Sequence, residues 1–186
     1  FQLYPALSDV DGILLNETIS IAFRTGDAVE PSIPLVNPLD TLFFVGDKES
    51  SSGVASVSTI RYTSKKMEGQ ASNKLAYTYE DLTGEAHYAA KNLTAYNGNS
   101  NSTFGLYVFA DYSFNTLYAK WAVEGDIQYT KICDLDYAGW LYQEADMATL
   151  PAGVDYQFMG FKIVRQSSFL SEKGEISVDA IRVQYN

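Results

Sequence analysis

Residues 97–110 read Asn97-Gly98-Asn99-Ser100-Asn101-Ser102-Thr103-Phe104-Gly105-Leu106-Tyr107-Val108-Phe109-Ala110, a polar loop that runs straight into an almost continuous apolar segment. A short apolar run rich in aromatic and branched residues, opened by Asn and Gly, is the pattern of a strand covered on both faces. Tyr107 and Phe109 share one face of that strand, and Leu106 and Val108 share the other. The segment therefore predicts a central strand between two layers.

Outward from this strand the same grammar repeats. Residues 54–62 and 74–79 alternate with period two, the second through Leu75, Tyr77 and Tyr79. Further runs follow at 117–123, 127–132, 139–145, 158–164 and 175–185, each bounded by turn residues. Roughly eight to ten short strands at this spacing, with 14 Tyr and 10 Phe and no sustained helical period, predict an all-β sandwich or jelly roll of two antiparallel sheets. Residues 65–73 have room for a helical turn and no more. In the last run, Ile176 and Val178 have one parity and Ile181 and Val183 the other, so a bulge near Asp179 and Ala180 is needed to return both pairs to the core.

The chain has 186 residues, 46% hydrophobic, enough for one domain with a substantial core. Four of the five prolines fall within residues 1–40, which read as an N-terminal extended segment with one strand at 18–23, where Ile19, Ile21 and Phe23 alternate. The expected division is therefore an extension over 1–40 and a sandwich domain over 41–186. A net charge of −10, from 13 basic and 23 acidic residues, opposes binding to nucleic acid and to acidic membrane surfaces. No run approaches about 18 consecutive apolar residues, so membrane insertion is not expected, and no signal peptide is visible at the start.

Catalytic constellations are sparse. The single cysteine, Cys133, lies in a strand-like Ile-Cys-Asp-Leu context and is expected to be a packed thiol. The single histidine, His87, is a strand residue in Glu85-Ala86-His87-Tyr88, so no nucleophile triad is apparent. Acidic residues are numerous enough for some carboxylate pair to arise by chance, and such a pair is no evidence of glycosidase chemistry. The expectation is a non-catalytic protein. Asn16, Asn92 and Asn101 open Asn-x-Ser/Thr sequons, which would be glycan acceptors in an exported protein and mark exposed loops in any case.

Several stretches together carry a resemblance. They are residues 104–117 with Asp111-Tyr112-Ser113, then Leu135-Asp136-Tyr137-Ala138-Gly139-Trp140, then Leu150-Pro151, and the ending Gly174-Glu175-Ile176-Ser177-Val178-Asp179-Ala180-Ile181-Arg182-Val183. Upstream, Glu68-Gly69 and Ala71 precede Lys74-Leu75-Ala76-Tyr77. Over residues 43–186 the chain resembles the galactose-binding-like jelly-roll carbohydrate-binding modules found at the C-terminus of bacterial extracellular phosphodiester-glycosidase-type and glycan-degrading proteins. It departs from them at Tyr112 and Phe114, where the family usually has glycines. The resemblance implies an extracellular or cell-surface accessory module that binds polysaccharide through aromatic rings. Tyr107, Phe109, Trp121 and Tyr129 are the expected platform, with Trp121 the foremost ring and Trp140 assigned to the core. It also implies a structural Ca2+ held by Asp179, with Asp47 or Glu49 as partners. The alternative is a structural or adhesive subunit, self-associating by adding the N-terminal arm to a neighbour's sheet edge.

Overall fold

The computed structural model describes residues 32–91, 97–166 and 172–185. Residues 31–186 make one compact unit. Two antiparallel sheets account for it, as the alternation predicted. The first has the order β10-β7-β12-β4-β3, built from β3 (Val54–Tyr62), β4 (Ser72–Tyr79), β7 (Thr103–Asp111), β10 (Ala138–Glu144) and β12 (Lys173–Gln184), with β1 (Leu35–Asn37) also on β12. The second has the order β2-β5-β11-β8-β9, from β2 (Phe44–Gly46), β5 (Glu85–Ala90), β8 (Thr116–Val123), β9 (Asp126–Asp134) and β11 (Tyr156–Val164), with β6 (Asn97–Gly98) also on β11. This is a jelly-roll sandwich. Among the described residues no helix is long and apolar enough to cross a membrane.

The core lies between the sheets and is aromatic at its centre. Phe104 of the first sheet meets Trp121 and Phe158 of the second at ring-centroid distances of 5.1 and 4.9 Å, and Phe161 stands 4.9 Å from Phe44. The tilted and edge-on angles of these pairs suit the ring quadrupoles and add to the area each ring buries. Strand β7 is central, between β10 and β12, which is why its sequence is apolar on both faces. Leu106 and Val108 point into the core, fully buried.

The bulge read from the last strand is present. Pairing of β12 with β7 shifts register between Asp179 and Arg182, and Ala180 takes a left-handed φ of 53°. Ile176, Val178, Ile181 and Val183 are all buried as a result. Cys133 is buried and unpaired, and burial pushes its thiol up to about 12, the state of an inert packed thiol.

The sequence division at residue 40 differs from the structure. Leu35 and Asn37 pair with Arg182 and Ile181, so this segment is part of the sandwich. The strand expected at 18–23 lies outside the described residues, as do Asn16 and Asn92. Asn101 is described and exposed, in the loop before β7. Residues 65–71 hold no helical turn; they are bends that fold back over the first sheet.

Candidate functional site

Each sheet has an outer face, and the two differ in what covers them. On the first sheet, residues 63–71 roof the outer face: Lys65 Nζ sits 4.0 Å above the Phe109 ring, and the amides of Met67 and Glu68 donate to Asp179 Oδ2 at 2.6 and 3.1 Å. Tyr107, beside Asp179 in the register, is only 6% exposed under this roof. The rest of this face is an aromatic ladder between β7 and β10, Tyr107 against Tyr142 and Phe109 against Trp140, each at 5.5 Å. Trp140 is half-buried in that ladder rather than in the core expected for it.

The second sheet is covered by no described segment. Across its middle run two rows of outward residues. One row is Val45, Ala89, Gly160, Lys120 and Tyr129; the next is His87, Lys162, Tyr118 and Lys131. These positions alternate with buried neighbours: Leu117, Ala119 and Trp121 on β8, Phe161 and Ile163 on β11, Ala86 and Tyr88 on β5. A polar residue between two core residues in a central strand must stand on the opposite face.

Ionic and aromatic groups interlock there. Lys162 Nζ lies 3.9 Å from the Tyr129 ring centroid and 5.5 Å from that of Tyr118. Glu85 reaches Lys162 through Oε1 and His87 Nε2 through Oε2, both at 3.4 Å. His87 packs edge-on against Tyr129 at 6.1 Å. Burial, with Lys120 and Lys162 adding to it, holds the imidazole below its ordinary pKa against the opposing pull of Glu85, so the ring is neutral at pH 7. Burial first, and then Glu85 and Asp47, push the Tyr129 phenol up, so it is a neutral hydroxyl that can donate to a ligand.

The floor between these groups is low. Gly160 sits at a register shift in β11 with φ of 131°, a left-side conformation that a side chain rarely takes, and a Cβ there would stand 2.0 Å from the Tyr88 carbonyl oxygen. Glycine is thus required by the bulge, and with Ala89 beside it a ligand ring can approach the backbone between Val45 and Lys120.

The structure separates the expected platform. Tyr129 is on the open face of the second sheet, whereas Tyr107 and Phe109 are on the outer face of the first. Trp121 is on neither: it is 1% exposed and its indole N–H donates to Thr130 Oγ1 at 2.9 Å. Its parity is that of Leu117 and Ala119, which corrects its reading as a ligand ring. Tyr118, Lys120 and Lys162 were not singled out, and His87 only as a strand residue, although their alternation with core residues was a readable signal.

The expected calcium ligands do not come together either. Asp179 belongs to the centre of the first sheet, while Asp47 follows β2 in the second, its amide donating to the His87 carbonyl and its carboxylate accepting from Ser50. Glu49 is exposed in the same turn. Asp179 Oδ2 is already occupied by two amides, and the nearby Glu68 carboxylate is paired with Arg182, which also donates to the Ile33 carbonyl at 2.8 Å. Among the described residues no group of three or more His, Cys, Asp or Glu is placed to hold a metal. The expected ligands are thus apart, and beside Asp179, whose Oδ1 is buried without a hydrogen-bond partner, a guanidinium ties the strand, the roof and the chain before β1.

Tyr112 and Phe114 both have left-handed backbone, with φ of 58° and 57°. Amide bonds to the carbonyls of Tyr137 and Leu135, each 3.0 Å, hold them there with their rings exposed.

No family model matches the chain, and no curated protein matches it. Solved structures do. A carbohydrate-binding module of the β-sandwich superfamily, described for its promiscuous specificity, has a TM-score of 0.54 and 16% identity over 95% of this chain and 70% of its own. The family 11 carbohydrate-binding module of a cellulosomal cellulase from Clostridium thermocellum gives 0.51 and 11% over 83% of this chain and 96% of its own. The glycoside hydrolase domain of Endo-D from Streptococcus pneumoniae gives 0.57 and 10% over 73% of this chain, which spans 21% of that protein. At such identities the likeness is one of architecture alone, and that architecture is a jelly-roll β-sandwich.

Proposed function

We propose that this chain is a non-catalytic carbohydrate-binding module of an extracellular protein, with its glycan site on the open face of the second sheet. The observation that supports it is the cluster of Tyr118, Tyr129, Lys162, His87 and Glu85 on an uncovered sheet, in a fold that it shares with carbohydrate-binding modules. Sugar rings offer an apolar C–H face and a rim of hydroxyls. Phenol rings meet the first, and the Tyr hydroxyls and ammonium groups meet the second. Every ionic member of the cluster is tied to a neighbour, so the surface is preorganised and little side-chain entropy is lost on binding. Affinity electrophoresis through gels containing plant and microbial polysaccharides tests the reading. One or more gels should retard the protein, Tyr129→Ala should restore its mobility without changing its unfolding midpoint, and no reducing ends should be released. Free migration through every gel would refute it.

A second reading, assembly by strand addition, draws on the opposite edge. There β2 and β3 approach so closely that a Cβ on Gly46 would lie 2.6 Å from the Val57 carbonyl oxygen, and Leu42 and Val45 are exposed along a groove of about 390 Å³. An apolar edge of this kind is where a further strand would dock. Polymers that disappear on deleting residues 1–31 would favour it over glycan binding.

A further inference from the structure

We propose that the loop joining β7 to β8 is a further sugar contact, at which the rings of Tyr112 and Phe114 receive one residue of the glycan. This rests on the glycan reading above and adds a subsite away from the sheet face.

Among the described residues, five other than glycine have left-handed backbone, and for three of them the fold explains it. Leu39 is fully buried in the core, Ala180 forms the bulge of β12, and Glu124 shares the two-residue hairpin between β8 and β9 with Gly125. Tyr112 and Phe114 are different. A bulky ring is among the side chains that this backbone suits least, and glycine would take the same φ without strain. Neither ring is packed in the core: Tyr112 is 58% exposed and Phe114 40%. Strained backbone that carries its side chains out to solvent stabilises nothing inside the domain, and such strain concentrates where a ligand is held.

The loop is fixed from beneath, and the two rings take no part in fixing it. While Tyr112 and Phe114 give their amides to the Tyr137 and Leu135 carbonyls, Leu135 returns its own amide to the Asn115 carbonyl at 2.8 Å. The Asp111 carboxylate accepts from the Ser113 amide at 3.2 Å and from the Tyr77 hydroxyl at 2.8 Å, and the Asn115 side-chain amide donates to that same hydroxyl at 3.0 Å. Tyr77 belongs to the core, so the loop is anchored there. The rings are thereby held 4.7 Å apart at 67°, and a ligand meets them without first ordering the loop.

The size and surroundings of the pair suit a sugar. Along the chain the rings alternate with Asp111, Ser113 and Asn115, and Asp136, between the two residues whose carbonyls hold the loop, is exposed. Two adjoining rings about one pyranose wide, with an exposed carboxylate close by in the fold, provide a platform for C–H groups and an acceptor for hydroxyls. They fall well short of the roughly 800 Å² per side that a stable protein interface buries. Tyr118, on the open face of the second sheet, follows Phe114 by four residues, about 13 Å of extended chain, so a short oligosaccharide reaches both.

The test is affinity electrophoresis in a gel that retards the parent, run beside the Tyr112→Gly, Phe114→Gly double variant, with urea denaturation of both proteins. Loss of the two rings should weaken binding by at least about fivefold. Relief of the strained backbone should at the same time raise the urea midpoint by about 0.5 M. The Tyr112→Ala, Phe114→Ala double variant, which removes the rings but keeps a Cβ at each strained φ, should lose binding equally without the rise in midpoint. Retardation of the glycine double variant within about twofold of the parent would overturn the inference and leave the glycan reading standing. A lower midpoint in that variant would overturn it as well, since the rings would then be holding the loop. So would self-association of the parent that the variant loses with its retardation unchanged, which assigns the pair to a protein contact. A parent that runs freely through every gel would overturn both the inference and the reading beneath it.

Discussion

Replacing Trp121 with alanine separates the core assignment of this ring from a role in ligand contact. The indole is 1% exposed and stands edge-on to Phe104 at 5.1 Å and to Phe158 at 5.5 Å, so its removal opens a cavity where the two sheets meet. Truncating a buried Trp to Ala costs about 3–5 kcal/mol, and losing the indole N–H leaves Thr130 Oγ1, itself fully buried, without its donor. A total of about 4 kcal/mol is a large part of the 5–15 kcal/mol that typically holds a domain together. With a urea slope of about 2 kcal/mol per molar, the unfolding midpoint should fall by about 2 M. Equilibrium urea denaturation followed by far-ultraviolet circular dichroism is the assay. Trp121→Phe, which keeps most of the packing, should recover well over half of the loss. A midpoint within about 0.3 M of the parent, with polysaccharide retardation lost, would show that the ring meets ligand and that the core assignment is mistaken.

Other expectations follow from individual sites. Burial raises Asp179 to about 6 from an ordinary 3.8, opposed by the amides of Met67, Glu68 and Ala180. A raised carboxyl contributes stability that is complete below about pH 3.8 and is lost as pH rises through about 6, a difference of about 3 kcal/mol for two units. Asp179→Asn keeps the acceptor for both amides and removes the charge, so its stability relative to the parent should rise between pH 4.5 and pH 7.5 by up to that amount; a pH-independent difference in urea midpoints would contradict this. His87 works in the opposite sense: its lowered pKa means that stability present above about pH 6.5 declines on acidification, and His87→Gln should remove that decline from midpoints measured between pH 7 and pH 5. Gly160→Ala forces a Cβ to 2.0 Å from the Tyr88 carbonyl at a φ of 131°, so β11 must shift. A loss of about 2 kcal/mol or more is expected, and a thermal midpoint unchanged by the substitution would mean that the bulge is not held as described.

Much of the sandwich was legible because its evidence is local. Alternation along 54–62, 117–123 and 175–185 places one side chain in two toward the core, and the parity change between Val178 and Ile181 can be repaired only by a bulge. Short elements escaped. β1, β2 and β6 have two or three residues each, too few for a period, and they exist because β12, β5 and β11 offer them an edge. The site was harder to read for a different reason. Alternation reports which residues share a face within a strand, but not which face of which sheet stays open. Trp121 was attractive as the largest ring in a polar neighbourhood, yet that neighbourhood, Tyr118 and Lys120, points the other way by parity. Tyr107 and Phe109 were rightly placed on one face of β7, but the roof formed by residues 63–71 is a tertiary event that no periodicity announces. Asp179 was rightly tied to the bulge, where it anchors that roof; the partners expected for it lie in the turn that follows β2 of the other sheet.

Which face a sugar touches can be read directly from backbone amide resonances of isotopically labelled protein during titration with an oligosaccharide identified by gel retardation. The account predicts shift changes concentrated at His87, Tyr118, Lys120, Tyr129, Gly160 and Lys162, with Tyr107, Phe109, Trp140 and Tyr142 unmoved. Changes centred on the β7 and β10 ladder, with the second sheet silent, would contradict it.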